Sequence, residues 1–91
     1  MKFSLGKVGW TRGVNDRVAV DASFSKFVLV CLIRHAMCDW GELDDEDKRE
    51  NDFSVDKGLR LLSSYQRGDW KIWIISEADR STTTILFPEE Y

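Results

Sequence analysis

The segment Phe24–Cys38 constrains the fold of this chain more than any other. Across it the only charged side chains are Lys26 and Arg34. Phe24, Phe27, Val28, Cys31, Leu32 and His35 follow the alternating three- and one-residue steps of a single helical face. Leu29, Val30, Ile33, Ala36 and Met37 widen that face nearly all the way round. Such a helix has to be covered on most sides, so the pattern predicts a central core helix, capped by Ser23 or Ser25. Its β-branched residues leave a strand as the competing reading.

The C-terminal third supplies a partner for that helix. Leu59–Tyr65 alternates. Trp70–Ser76 (WKIWIIS) is aromatic and β-branched on both faces, as a central strand is, and Thr82–Phe87 (TTTILF) is a third strand ended by Pro88. Gln66–Asp69 with Gly68-Asp69 reads as a hairpin turn, and Glu77–Ser81 as a polar connection. At the N-terminus, Lys2–Thr11 has strand alternation bent by Gly6 and Gly9. Val14–Ser23 is open: Asn15 or Asp16 are possible caps of a short helix through Val18, Ala19 and Ala22. With 91 residues the chain has room for one small domain, residues 1–91. The expectation is an α+β, two-layer domain with an antiparallel sheet of three to four strands, in β-α-α-β-β-β order, and helices packed on one face.

Charge is distributed unevenly. The formal net charge is −3, but residues 1–38 carry +4, residues 39–52 carry −6 and residues 53–91 carry −1. Asp39, Glu42, Asp44, Asp45, Glu46, Asp47, Glu50 and Asp52 make up the acidic block, against Lys48 and Arg49. Asp44 reads as the N-cap of a helix running from Asp45 to Asp56 or Lys57 and stopping at Gly58, with acids at the positive end of the helix dipole. Phe53 and Val55 are its only large apolar residues, so most of its girth lies in water. A pI near 5.1 speaks against direct nucleic-acid binding and against a polybasic membrane anchor. The longest apolar run, Phe27–Ile33, falls far short of the ~20 residues of a membrane span.

Few residues offer chemistry. Cys31 and Cys38, on one helix, lie roughly 10 Å apart along its axis, beyond the ~7 Å a disulfide allows, and read as free thiols in a reducing, cytoplasmic compartment. His35 is near Cys38 by helical spacing, but a helix-interior thiol lacks the exposed electropositive setting of a nucleophile, so core packing is the reading. Two cysteines and one histidine do not close a tetrahedral metal site, and the acidic block lacks the central glycine of a calcium loop. The expectation is no catalytic residue, no metal and no cofactor. Trp40 lies between Asp39 and Gly41, either half-exposed at an interface or sealing the core. Glu77, Asp79 and Arg80 are candidate loop contacts, with an internal salt bridge in the turn as the plainer alternative. Arg67-Gly68-Asp69 matches an adhesion triplet but reads as hairpin chemistry.

Asp39-Trp40-Gly41-Glu42-Leu43, Glu46-Asp47-Lys48, Asn51 and Gly58-Leu59-Arg60-Leu61-Leu62-Ser63-Ser64-Tyr65 together resemble a family of short bacterial proteins carried on plasmids and integrated elements. Trp73-Ile74-Ile75, Glu77-Ala78-Asp79-Arg80-Ser81 and Pro88-Glu89-Glu90-Tyr91 add to the resemblance, which covers about residues 39–91. Residues 1–38 depart from the family pattern of a strand and a helix richer in alanine and leucine. The resemblance implies an accessory protein of a mobile element, often found beside anti-defence genes. Small acidic proteins of that kind include anti-CRISPR and antirestriction inhibitors. No functional residue comes with it.

The reading that joins these features is a non-catalytic inhibitor of a bacterial defence system, anti-CRISPR in type. It would bind a host nuclease or surveillance complex with a basic surface, stoichiometrically, as monomer or homodimer. The expected contacts are Asp39, Trp40, Glu42, Asp44, Asp45, Glu46, Asp47, Glu50, Glu77, Asp79 and Arg80. The alternative is a structural or regulatory module of a mobile element, dimerised through Thr82–Phe87 as an edge strand. A small enzyme using Arg80 with Glu77 and Asp79 is a third reading, and it needs a deep pocket at that turn.

Overall fold

The hairpin that anchors the sheet closes on two residues. β2 (Leu61–Arg67) and β3 (Trp70–Ser76) pair antiparallel from Leu61↔Ser76 to Arg67↔Trp70, and Gly68 takes φ 58° at the first turn position, where a type II′ connection needs positive φ. β4 (Thr82–Leu86) returns antiparallel against β3. β1 (Lys7–Trp10) then adds to the far side of β4, in parallel register from Lys7↔Thr82 to Trp10↔Ile85. The strand order is β1-β4-β3-β2 in a computed structural model that describes residues 2–91.

The α+β class stands, with two corrections. The sheet is mixed, because the three helices carry the chain from β1 to the opposite edge, where β2 starts in the same direction as β1, and the β2-β3-β4 meander then brings β4 alongside β1 in parallel. And β4 is interior, flanked by β1 and β3, so Thr82–Phe87 cannot pair with a second chain as an edge.

Val14–Ser23 divides between two helices at Asp21, and Ala22 falls in the second. α1 (Arg12–Val20) starts earlier than an Asn15 or Asp16 cap would allow. Thr11 sits at its N-cap, yet its hydroxyl donates to Glu90 Oε1 (2.6 Å), and the same carboxylate accepts Gly13 N–H through Oε2 (3.0 Å). The anion at the start of α1 is therefore supplied from the other end of the chain. α2 (Ala22–Ala36) is capped by Asp21, whose side chain accepts from Phe24 N–H (3.0 Å), rather than by Ser23 or Ser25.

α2 ends two residues sooner than the apolar pattern predicts. Cys38 N–H bonds His35 C=O, Asp39 N–H bonds Arg34 C=O, and Cys38 takes φ 64°. That is a Schellman termination with cysteine at the position glycine usually fills.

The core lies between α2 and one sheet face. Val14 of α1 and Phe24, Phe27, Val28 and Cys31 of α2 pack on Tyr65, Ile72, Ile74 and Ile85. Phe24 gathers Phe27, Trp70 and Phe87 with ring centroids 5.4–6.2 Å apart. The expected all-round burial of this helix is wrong, however. Leu29, Val30, Ile33 and Met37 are each more than half exposed, because nothing among the described residues covers the side of α2 away from the sheet. On the opposite sheet face the 3-10 turn Pro88–Glu90 and Tyr91 lie over Trp73 and Leu86, with Trp73 and Tyr91 edge-on at 5.7 Å.

α3 (Asp45–Lys57) runs along the β2 edge, as its cap and stop signals predict: Asp44 accepts Asp47 N–H (2.8 Å), and Gly58 is the left-handed C-cap. Its inner face is polar. Asn51 and Ser54 are buried, and the Asn51 amide bonds both Leu62 C=O (2.6 Å) and Leu62 N–H (3.4 Å). Beside it Glu42 N–H bonds Ser64 C=O (2.7 Å) and Ser64 N–H bonds Trp40 C=O (3.3 Å). Any Cβ at Gly41 would collide with that Ser64 carbonyl and the Tyr65 ring. The free side of β2 is thus occupied by the chain's own residues.

Candidate protein-docking surface

α3 turns its polar girth outward because only residues 51 and 54 face inward with any depth. Glu42, Asp44, Asp45, Glu46, Asp47 and Glu50 are all exposed. Asp44 and the first-turn acids Asp45, Glu46 and Asp47 sit at the helix's positive end, which stabilises their charge. The ion pairs among the described residues are Arg12–Asp16, Arg17–Asp21, Arg34–Asp39 and Arg60–Glu77. None of them draws on Glu42, Asp44–Asp47 or Glu50. These carboxylates form a solvated ridge that shares α3 with Lys48 and Arg49 but makes no ion pair among the described residues.

The other expected contacts do not join the ridge. Asp39 is held by Arg34 through two bonds of 2.7 and 3.1 Å and accepts Gly41 N–H, so its carboxyl sits below the usual range and its charge is neutralised in place. Trp40 is 2% exposed. Its indole stacks near Phe3, meets His35 edge-on, and donates to Asp52 Oδ1 at 2.9 Å, fastening the loop before α3 to α3 itself. It seals the core and offers nothing to a partner.

The turn at Glu77–Ser81 lies by the C-terminal end of α3, roughly 15 Å along the helix from the first-turn acids. Arg80 spends its guanidinium on three carbonyls, those of Leu59 (2.6 Å), Glu77 (3.0 Å) and Ser54 (2.9 Å). A cation over the last helical carbonyls suits the negative end of the dipole. Glu77 pairs with Arg60, not with Arg80, and Asp79 accepts Ser81 N–H within the turn. The internal salt bridge expected there is absent among the described residues, and Arg80 is a clamp between α3 and the sheet. Of the cleft nearest this turn, lined by Arg60, Ile75, Glu77, Thr84 and Tyr91, Arg80 and Asp79 form no part.

Phe53 was missed in the sequence as a surface residue. It is 53% exposed among the α3 acids, with Lys57 Nζ 5.9 Å from its ring centroid. The signal was present: residue 53 lies about 100° round the helix from Ser54 and 200° from Asn51, away from the inner stripe.

His35 is fully buried, with Nδ1 2.6 Å from Ser63 Oγ and Nε2 2.9 Å from Ser76 Oγ. Burial, with Arg80 nearby, lowers its pKa to about 4. Its ring points into the sheet. Both cysteines are free, and burial pushes Cys31 up to about 12. Among the described residues no cluster of His, Cys, Asp and Glu could hold a metal ion, and no helix is long and apolar enough to cross a membrane. No family model, curated protein or solved structure matches the chain.

Proposed function

We propose that this protein is a non-catalytic, stoichiometric inhibitor that docks the acidic ridge of α3 on a cationic surface of a bacterial defence complex, anti-CRISPR in type. The observation that carries the docking is the row Glu42, Asp45, Glu46, Asp47 and Glu50, exposed and in no ion pair among the described residues. Clustered carboxylates steer association with a lysine- or arginine-rich groove, such as nucleic-acid-handling enzymes present. Phe53 supplies an aromatic anchor beside them. The choice of a defence complex as partner rests on the resemblance to mobile-element proteins. A net charge of −3 fits a local decoy for a nucleic-acid groove, not a mimic of a whole duplex. In this reading the protein acts in the host cytoplasm, where its two thiols stay reduced.

The test is a plasmid-protection assay in bacteria with an active CRISPR nuclease, with and without the protein. The informative variant is Glu46→Lys with Glu50→Lys, because neither side chain caps the helix, whereas Asp44 does. Wild type should protect the incoming plasmid and the double variant should not, at equal folded amounts. Equal protection by both rejects the ridge; no protection by either rejects the inhibitor.

A further inference from the structure

The outer face of α2 is apolar and bare. Phe24, Phe27, Val28, Cys31 and His35 are buried on its sheet side. At about 100° per residue, Leu29, Val30, Ile33 and Met37 centre roughly 160° round the helix from them. Those four are 54–58% exposed, pointing away from the sheet. Lys26 and Ala22, one and two turns before Val30, continue the same line and are also exposed. Lys26 is the one charge on this stripe. Arg34 stands at its flank, held by Asp39 through bonds of 2.7 and 3.1 Å.

The four large side chains offer on the order of 450 Å² of accessible area, a contiguous patch of the size that marks interaction sites. At the ~60% apolar share of an interface this corresponds to roughly 700 Å² per partner, inside the ~600–1,000 Å² of a standard stable contact.

We infer that this face binds a second copy of the chain, α2 against α2. The two-fold axis runs between the helices, parallel to the two sheets and perpendicular to the helix axes. The assembly is layered sheet, helix, helix, sheet, so each stripe, turned away from its own sheet, meets its copy. Charge selects the direction of the helices. A parallel pair would set the two Lys26 ammoniums against each other. The antiparallel pair, centred between Val30 and Ile33, puts Val30 on the copy's Ile33. It also puts Lys26 beside the copy's Met37, at the negative end of that helix. The Lys26 stem lies on apolar surface while its ammonium stays in water. The acidic ridge belongs to α3 and the loop before it, so the inference does not rest on the docking proposed above.

Sedimentation equilibrium of the wild-type chain at micromolar concentration should give twice the 10.6 kDa chain mass. Val30→Lys and Ile33→Glu change exposed helix positions, where both new residues are good helix formers. Each variant alone sets a charge against an aliphatic side chain at both symmetric contacts. Each should run at the single-chain mass with unchanged helical circular dichroism. An equimolar mixture of the two should recover the doubled mass. In the antiparallel register the introduced ammonium of one chain meets the introduced carboxylate of the other, and the second contact is the native one. A wild type at the single-chain mass overturns the inference, as does a dimer that survives in both folded variants. A mixture that stays monomeric overturns the antiparallel register.

Discussion

His35 donates to Ser76, and the direction of that 2.9 Å bond is forced. Thr83 gives its hydroxyl proton to Leu5 C=O (2.7 Å), so its 2.7 Å contact with Ser76 must be one in which Ser76 donates. Ser76 then has no proton left for His35 and accepts from Nε2–H. Nδ1 is left as an acceptor for the Ser63 hydroxyl. The buried ring is fixed as one neutral tautomer in a one-way chain from β2 through β3 to β4 and the N-terminal segment. Protonating Nδ1 would take from the Ser63 hydroxyl its acceptor and force it to turn.

The stability of the fold should therefore fall as pH drops from 6.5 toward 4. Between the ordinary pKa of 6.5 and the folded value of about 4, the unfolded chain binds a proton that the folded chain refuses. Stability rises with pH across that window by up to ~1.4 kcal/mol per unit, about 3 kcal/mol in all. Asp21, Asp39 and Asp79 are shifted down from 3.8, so their losses come at lower pH. Urea denaturation from pH 7 to 4.5 measures the slope. His35→Gln should flatten it while costing about 1–3 kcal/mol at pH 7. A wild-type profile that is flat over the window would refute the assignment.

Cys38→Gly should stabilise the protein by about 1 kcal/mol. Cysteine at φ 64° carries the left-handed penalty that glycine does not, and the Schellman bonds of Asp39 and Cys38 are made by main-chain groups the substitution leaves alone. Loss of a half-buried thiol offsets part of the gain. Thermal denaturation under reducing conditions reads the result; a lower midpoint would show that the side chain outweighs the backbone strain.

Glu90→Gln should loosen α1. The carboxylate accepts from Thr11, Gly13 and Phe87, and an amide has a single oxygen for those donors. A lost helix cap costs about 1 kcal/mol. Amide exchange should accelerate in Arg12–Val20 before it changes in α2. Uniform acceleration across the chain would place the role of Glu90 elsewhere.

What the sequence revealed and what it withheld divide along one physical line. α3 was legible from Asp44 to Gly58 because its start and stop signals are local, and the hairpin was legible because Gly68-Asp69 lies between two alternating runs. β1's parallel union with β4 joins residues some 75 apart, and the Glu90 cap of α1 is 77 residues from Gly13. No local pattern encodes either. The α2 stripe misled because apolar periodicity specifies what needs covering, not whether one chain supplies the cover. Of the expected contacts, the acids of α3 are exposed, since unpaired charge seeks water. The Trp40 indole and the Arg80 guanidinium, with hydrogen-bond partners to satisfy, are turned to the chain's own groups.

Asn51 offers the sharpest test of how the β2 edge is kept closed. Its amide is the one side chain that both donates to and accepts from the Leu62 main chain, standing in for a neighbouring strand. Asn51→Ala leaves a half-buried N–H and C=O unpaired and should cost about 2 kcal/mol. It also opens a sheet edge, so aggregation on heating should rise. Asn51→Asp changes a single atom. The carboxylate can still accept from Leu62 N–H, but it sets a second oxygen against Leu62 C=O, and burial disfavours its charge. Its folded pKa should be raised, so its destabilisation relative to wild type is full at pH 7 and shrinks as the acid form, which can donate to the carbonyl, takes over toward pH 5. Paired urea titrations of wild type and Asn51→Asp at both pH values measure the difference. A gap between them that stays constant with pH would mean that the amide's donor bond to Leu62 does not hold this edge.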